Sequence, residues 1–136
     1  MNNTRFATAI HILTLLADSE EEWMSSDWIA GSININPVMV RKEIGVLTKA
    51  GLVESRKGKV GGSKLAKRSS DIRLDEIYLA VKNSDVLGKK NLKPNVLCPI
   101  GKNINQKLGS LFSEIDNSVI DELHGKTLEN FVKKFS

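Results

Sequence analysis

The sequence predicts a mainly α fold that carries one two-stranded β hairpin and one long helix toward the carboxy terminus. Three observations predict it. Apolar residues recur at spacings of three and four through most of the chain, a single glycine- and lysine-rich stretch lies between two short apolar runs, and one apolar stripe runs unbroken from Pro99 to about Glu122. The 136 residues leave room for one domain, or a small domain plus an arm.

The first helix follows a cap at Asn3 or Thr4, buries Phe6, Ile10, Leu13, Leu16 and Ala17 on one face, and ends near Asp18. After an acidic turn at Glu20, Glu21 and Glu22, Ser25 or Ser26 caps a second, short helix. Asp27 favours its positive end, and Trp28, Ile29 and Ile33 are its packing residues. Asn34-Ile35-Asn36 breaks the chain before Pro37, whose fixed φ and missing N–H suit the first position of a third helix running to about Ala50. Gly51 ends that helix in a left-handed conformation. Leu52 to Ser55 then form a strand, Arg56 to Lys64 a polar hairpin tip, and Leu65 with Ala66 the return strand.

Beyond the hairpin, Leu74, Ile77, Tyr78 and Val81 mark a fourth helix, and Ser84 to Leu97 a loop. In the long helix Ile100, Ile104, Leu108, Leu111, Phe112, Ile115 and Val119 form the stripe, over a length of about 36 Å. Thr127 caps a last short helix with Leu128, Phe131, Val132 and Phe135. Three helices, the last two joined by a short turn, followed by a basic hairpin are the order of a winged helix-turn-helix. The expected division is therefore a DNA-binding head over residues 1–70, and a half over residues 71–136 made of a linker helix, a sensor loop and dimerisation helices. Ile104, Leu108, Leu111, Phe112, Ile115 and Val119 carry the dimerisation surface, because the chain's own short helices are too few to cover them.

Charge points the same way. Twenty Lys and Arg against 16 Asp and Glu give a net charge of +4, with 26% charged and 40% apolar residues, the profile of a folded soluble chain. The distribution matters more than the sum. Nine basic residues and two acids lie between Arg41 and Arg68, a local +7 against −3 for the rest. This segment holds the third helix and the wing, the elements that such folds lay on DNA, where clustered cations displace counterions from phosphates. Val40, Ile44 and Leu47 face inward, so Asn36, Pro37, Val38, Met39, Arg41 and Lys42 occupy the exposed first turns that reach base edges. Arg41 can pair with a guanine in bidentate fashion, and Val38 or Met39 can meet a thymine methyl. Arg56, Lys57, Lys59 and Lys64 are the wing's candidates for phosphates or a narrow minor groove.

Other chemistries find little footing. Gly62-Ser63-Lys64 reverses the order a P-loop needs, the acidic turn has no pocket-forming context, and His11 and His124 have no ligand partners at metal-binding spacing. Trp23 and Trp28 are packing residues here, since a base-stacking platform needs several aromatics on one sheet face. No catalytic residue, metal or cofactor is expected. The longest apolar runs fall far short of the roughly 18 residues that span a bilayer, and no secretory leader pattern opens the chain, so a cytoplasmic location is expected.

Several stretches together resemble one family, the Rrf2 family of bacterial winged-helix transcription regulators. They are Thr4-Arg5-Phe6-Ala7 with Ala9-Ile10, Ile29-Ala30, Asn36-Pro37-Val38-Met39-Val40-Arg41, Ala50-Gly51-Leu52-Val53, the glycine wing, Leu74 to Val81, and Cys98-Pro99-Ile100-Gly101. The resemblance implies a homodimer that crosses its long carboxy-terminal helices and sets the third helix and wing on palindromic double-stranded DNA; the expected role of this chain is that of a repressor. It places Lys57 where many members have a wing arginine that enters the minor groove. Two features depart from the pattern. Cluster-binding members carry three closely spaced cysteines where this chain has only Cys98, which implies the cluster-free subgroup, and Val60 and Ser63 stand where the family wing often has further glycine and an aromatic residue.

Cys98 precedes Pro99 and so caps the long helix at its positive end, with Lys93 and Lys102 nearby, a setting that favours a thiolate. It is the candidate thiol sensor for an oxidant or small-molecule effector; the bland alternative is a half-buried cysteine without chemistry. The competing reading of the whole chain is a protein–protein interaction module whose basic face is incidental.

Overall fold

A computed structural model describes residues 4–136. Its first helix, α1 (Arg5–Asp18), buries Ala9, Ile10, Ile12, Leu13 and Leu16. Thr4 stands at its cap and accepts the Thr8 N–H through its carbonyl, while its side chain makes no capping bond; Asn3, the other candidate cap, lies outside the described residues. In α2 (Ser26–Ile33) the Ser25 hydroxyl accepts the Trp28 N–H at 3.1 Å, so Ser25 is the cap. Asn34 ends this helix in a left-handed conformation. Two residues later Asn36 caps α3 (Pro37–Lys49), its Oδ1 accepting the Val38 N–H at 2.8 Å, with Pro37 at the first helical position as expected.

Gly51, at φ 79°, turns the chain out of α3, and the Leu52 N–H closes the end by donating to the Leu47 carbonyl at 3.0 Å. Leu52 thus gives its N–H to α3 while its carbonyl accepts the Ala66 N–H across the hairpin at 3.0 Å, and β1 (Val53–Arg56) starts one residue later than the sequence suggests. It pairs antiparallel with β2 (Gly62–Leu65) in the register Val53↔Leu65 to Arg56↔Gly62. The return strand also begins earlier than expected, at Gly62 opposite Arg56, and ends at Leu65 rather than Ala66; it has a second neighbour as well. Met24, between α1 and α2, exchanges both backbone hydrogen bonds with Ser63, at 3.0 and 2.8 Å.

A 3₁₀ turn (Ser69–Asp71) leads into α4 (Leu74–Val81), and α5 (Pro99–His124) extends for 26 residues, about 39 Å. The chain ends in α6 (Leu128–Val132), capped by Thr127 as predicted, and a 3₁₀ turn (Lys133–Phe135). Two compact units result, residues 1–82 with 123–136, and residues 83–122.

The first unit holds the core. Ile12, Leu13, Leu16, Ile29, Val40, Leu47, Leu52, Ile72, Ile77, Val81 and Leu128 are each less than 2% exposed. Leu128 belongs to this core although some 45 residues separate α6 from α4. The Leu74 N–H donates to the Lys126 carbonyl and the Leu128 N–H to the Ile72 carbonyl, so the returning chain is tied in by its backbone as well as by its apolar face. Trp28, expected to pack, is 55% exposed: its neighbour Ile29 points inward, and the helical step carries the indole outward.

Within the second unit the loop is ordered on α5 by polar contacts. The Val86 N–H donates to the buried Asp116 carboxylate at 3.2 Å, and the Asn105 side-chain amide to the Asn91 carbonyl at 2.7 Å. Asp116 is the one buried residue of α5. None of Ile104, Leu108, Leu111, Phe112, Ile115 and Val119 is fully covered, and Leu111 is 47% exposed. No described helix is long and apolar enough to cross a membrane.

Candidate nucleic-acid interface

The site is built on α3, which turns one face into the core and the other outward. Val40, Ile44 and Leu47 are buried, while Val38, Met39, Arg41, Lys42, Gly45 and Lys49 are exposed. Glu43 goes inward with the first group. It is 4% exposed and accepts a hydrogen bond from the Arg5 guanidinium at 3.2 Å. The only acid on this helix is thereby withdrawn from the basic face, which leaves that face more positive than its composition suggests. Glu43 falls three residues after Val40 and one before Ile44, so helical spacing alone marks it as inward. Its partner, 38 positions away, is not legible in the sequence.

Arg41, Gly45 and Lys49 form one wall of an open concavity of about 750 Å³, and the wing residues Ser55, Arg56, Lys57, Gly58 and Lys59 form another. Lys57 and Lys59 are exposed at the hairpin tip. Asn36 is exposed and Pro37 partly covered at the start of α3. Of the predicted residues, Arg41 of the helix and Arg56, Lys57 and Lys59 of the wing thus line one concavity, while Asn36, Pro37, Val38, Met39, Lys42 and Lys64 are not part of its lining.

Arg56 and Lys64 are placed differently from their neighbours. The Arg56 guanidinium carbon lies 4.3 Å from the centre of the Trp23 ring, the Lys64 ammonium lies 5.1 Å from it, and Arg56 also donates to the Val60 carbonyl. Trp23 therefore holds cations on its face rather than filling the core. Nothing in the sequence pattern marks this contact, because the indole and the two cations are brought together only by strand pairing.

Cys98 is exposed at the start of α5. Its Sγ accepts the Gly101 N–H at 3.4 Å and its carbonyl accepts the Lys102 N–H at 2.8 Å, so it holds the capping position expected of it. The two histidines have found partners that their local sequence does not reveal: His11 Nε2 with the Ser32 hydroxyl, and His124 Nδ1 with Asp75, both at 3.0 Å. Asp75, 49 positions from His124 and so outside any local ligand spacing, is brought to it by the return of the chain to α4. Burial by itself would raise the Asp75 carboxyl, but the His124 hydrogen bond together with the charge and hydrogen bond of Arg73 outweighs it and holds the group below its ordinary value. Glu76 is likewise lowered; burial opposes the shift, and hydrogen bonds from Lys67 and the Arg73 backbone prevail.

Comparison with known proteins agrees with this geometry. The family model Rrf2, described as an iron-dependent transcriptional regulator, matches residues 2–134. The chain is 42% identical over 130 residues to the putative HTH-type transcriptional regulator YwnA of Bacillus subtilis, covering 96% of both chains. A crystal structure of a putative DNA binding protein is 39% identical, with a TM-score of 0.72 and coverage of 93% of this chain and 97% of the other. CymR, the global cysteine regulator of Bacillus subtilis, shares the fold at 22% identity and a TM-score of 0.70, over 98% and 97% of the two chains.

The iron in the family description has no matching donor set here. No group of three or more His, Cys, Asp or Glu residues able to hold a metal ion occurs among the described residues, the chain has a single thiol, and both imidazoles are engaged elsewhere. The residues of one chain do not fit a cluster. With the family model spanning nearly the whole sequence and a relative 42% identical over 96% of it, this chain belongs to the Rrf2 family of transcriptional regulators.

Proposed function

We propose that the chain is a sequence-specific, non-catalytic DNA-binding repressor of the cytoplasm that acts as a homodimer on a palindromic operator. Asn36, Pro37, Val38, Met39, Arg41 and Lys42 on α3 enter the major groove, and Lys57 and Lys59 of the wing reach the flanking phosphates or minor groove. The observation that carries this reading is the shared concavity of Arg41 and the wing cations, on a helix whose one acid is buried. A gel-shift titration against a pool of genomic fragments tests it. Selected fragments should be retained at moderate salt and lost steeply at high salt; retention of no fragment at moderate salt would refute the reading and leave an interaction module.

The partly covered stripe on α5 supports two copies per functional unit, and the exposure of Cys98 supports a response to oxidants or electrophiles. In the proposed regulatory division, residues 1–70 carry the DNA surface and residues 71–136 the sensing and dimerisation roles, with α4 and α6 also packed into the core that supports the DNA surface. Mild peroxide should release DNA from the wild type and not from Cys98→Ser. Equal loss or equal retention in both would remove Cys98 from the mechanism.

A further inference from the structure

The wing is attached to the body at a place that the DNA-binding reading does not use. Trp23 and Met24 lie in the connection between α1 and α2. Met24 pairs its backbone with Ser63 of β2, and Gly62 permits the approach: a Cβ there would lie 2.4 Å from the Met24 carbonyl oxygen. One residue earlier, the Trp23 ring lies against Arg56, the last residue of β1, and Lys64 of β2. Since Glu54 is paired with Lys64, Arg56 and Lys64 are diagonal neighbours on one face of the hairpin. Two like charges so placed repel each other; Glu54, opposite Lys64 on the same face, and the electron-rich face of the indole both offset that repulsion. Arg56 in turn reaches across the tip to the Val60 carbonyl. Its planar face and one of its donors are thus engaged within the protein, while Lys57 and Lys59 are exposed beside it.

We propose that Trp23 is the positioning residue of the wing. It clamps Arg56, and through Arg56 the Val60 side of the tip, so that Lys57 and Lys59 are held toward the DNA; Arg56 acts inside this clamp rather than on a phosphate. The proposal deepens the DNA-binding reading above and rests on it for its functional consequence. Its structural half stands without DNA.

The experiment therefore has two arms, both on the full-length chain. In the first, tryptic cleavage after Lys57 and Lys59 is timed without DNA for wild type, Trp23→Leu, Trp23→Phe and Arg56→Gln. Trp23→Leu should be cut about fivefold faster, the opening expected from loss of an exposed cation–π contact, and Trp23→Phe should recover most of the protection. In the second arm, affinity for a fragment selected from the genomic pool, and for a random-sequence duplex, is measured as a function of salt. Lys57→Gln should lower the salt slope by about one. Trp23→Leu and Arg56→Gln should weaken binding with the slope kept, and the double variant should be no worse than either alone.

Cleavage of Trp23→Leu at the wild-type rate, or a slope for Arg56→Gln that falls as far as that of Lys57→Gln, would overturn the proposal. Should Trp23→Leu fail to fold, Trp23→Phe and Arg56→Gln carry the same comparison. If no variant and no wild type binds DNA, the functional reading fails while the cleavage arm still decides the clamp.

Discussion

Leu128→Ala tests whether the carboxy-terminal tail is part of the DNA-binding body. Leu128 is fully buried in the core formed by α1, α3 and α4, and its own N–H donates to the Ile72 carbonyl. The substitution keeps that backbone bond and the good helix propensity of alanine, so its effect comes from lost apolar burial and from the cavity left behind. Leu→Ala changes at fully buried sites destabilise by about 3 to 5 kcal/mol. The upper figure applies where neighbours are too rigid to collapse. Here the site is flanked by a five-residue helix close to the chain end, which can shift inward, so the lower figure, about 3 kcal/mol, is expected. For a chain of this size such a loss lowers the melting temperature by roughly 10 °C. Urea unfolding at fixed protein concentration, followed by far-UV circular dichroism, measures it; the concentration must be held because a second copy would contribute by mass action. A change below about 1 kcal/mol would mean that α6 is only loosely docked, and the account of a core closed by the returning chain would be wrong.

Arg41→Ala should cost about 1 to 3 kcal/mol on a selected fragment and little on random duplex, as read by gel shift, whereas Lys57→Ala should weaken both alike. Equal weakening of all DNAs by Arg41→Ala would refute its role as a base reader. Asp75 and Glu76 have lowered pKa values in the folded chain, so their contribution to stability is complete above the ordinary carboxylate values of 3.8 and 4.5 and is lost as pH falls through the folded values. The urea midpoint should therefore drop at acid pH, and Asp75→Asn should fall less steeply with acid than the wild type; parallel pH profiles would remove the Asp75–His124–Arg73 cluster as a cause. Leu111→Glu places a charge on the stripe of α5 without disturbing a buried site, and should convert the proposed dimer to monomer in sedimentation equilibrium with the helix content unchanged. An unaltered dimer would put the interface elsewhere.

Most of the fold is local in origin, which is why it is legible. Asn36 and Pro37 start α3 through their own hydrogen bond and fixed φ, Gly51 ends it through its own left-handed conformation, and Thr127 caps α6 through a bond three residues ahead. Helical spacing also assigns Val40, Ile44 and Leu47 inward and Arg41 and Lys42 outward, and charge counting locates the basic segment. The exposed side of α3 and the basic character of the wing are thus legible in the sequence. Strand ends were less legible. The Leu52 N–H and both backbone groups of Ser63 have partners outside the hairpin, at Leu47 and Met24, and no period-two pattern reports such partners.

By itself, then, the sequence determined the order of elements, the face of α3 that meets solvent and the place of Cys98 before Pro99. Each of these follows from interactions among residues a few positions apart, whose geometry the backbone dictates. The tertiary structure decided which distant groups meet: Glu43 with Arg5, Asp75 with His124, Leu128 with the core, and Trp23 with Arg56. Those pairs follow from how the chain returns on itself, and they depend on the burial of apolar faces, a force that fixes no particular polar partner. Glu43, an acid counted against the basic surface, is withdrawn from it, and the Arg56 guanidinium meets the Trp23 ring, only when the chain has folded.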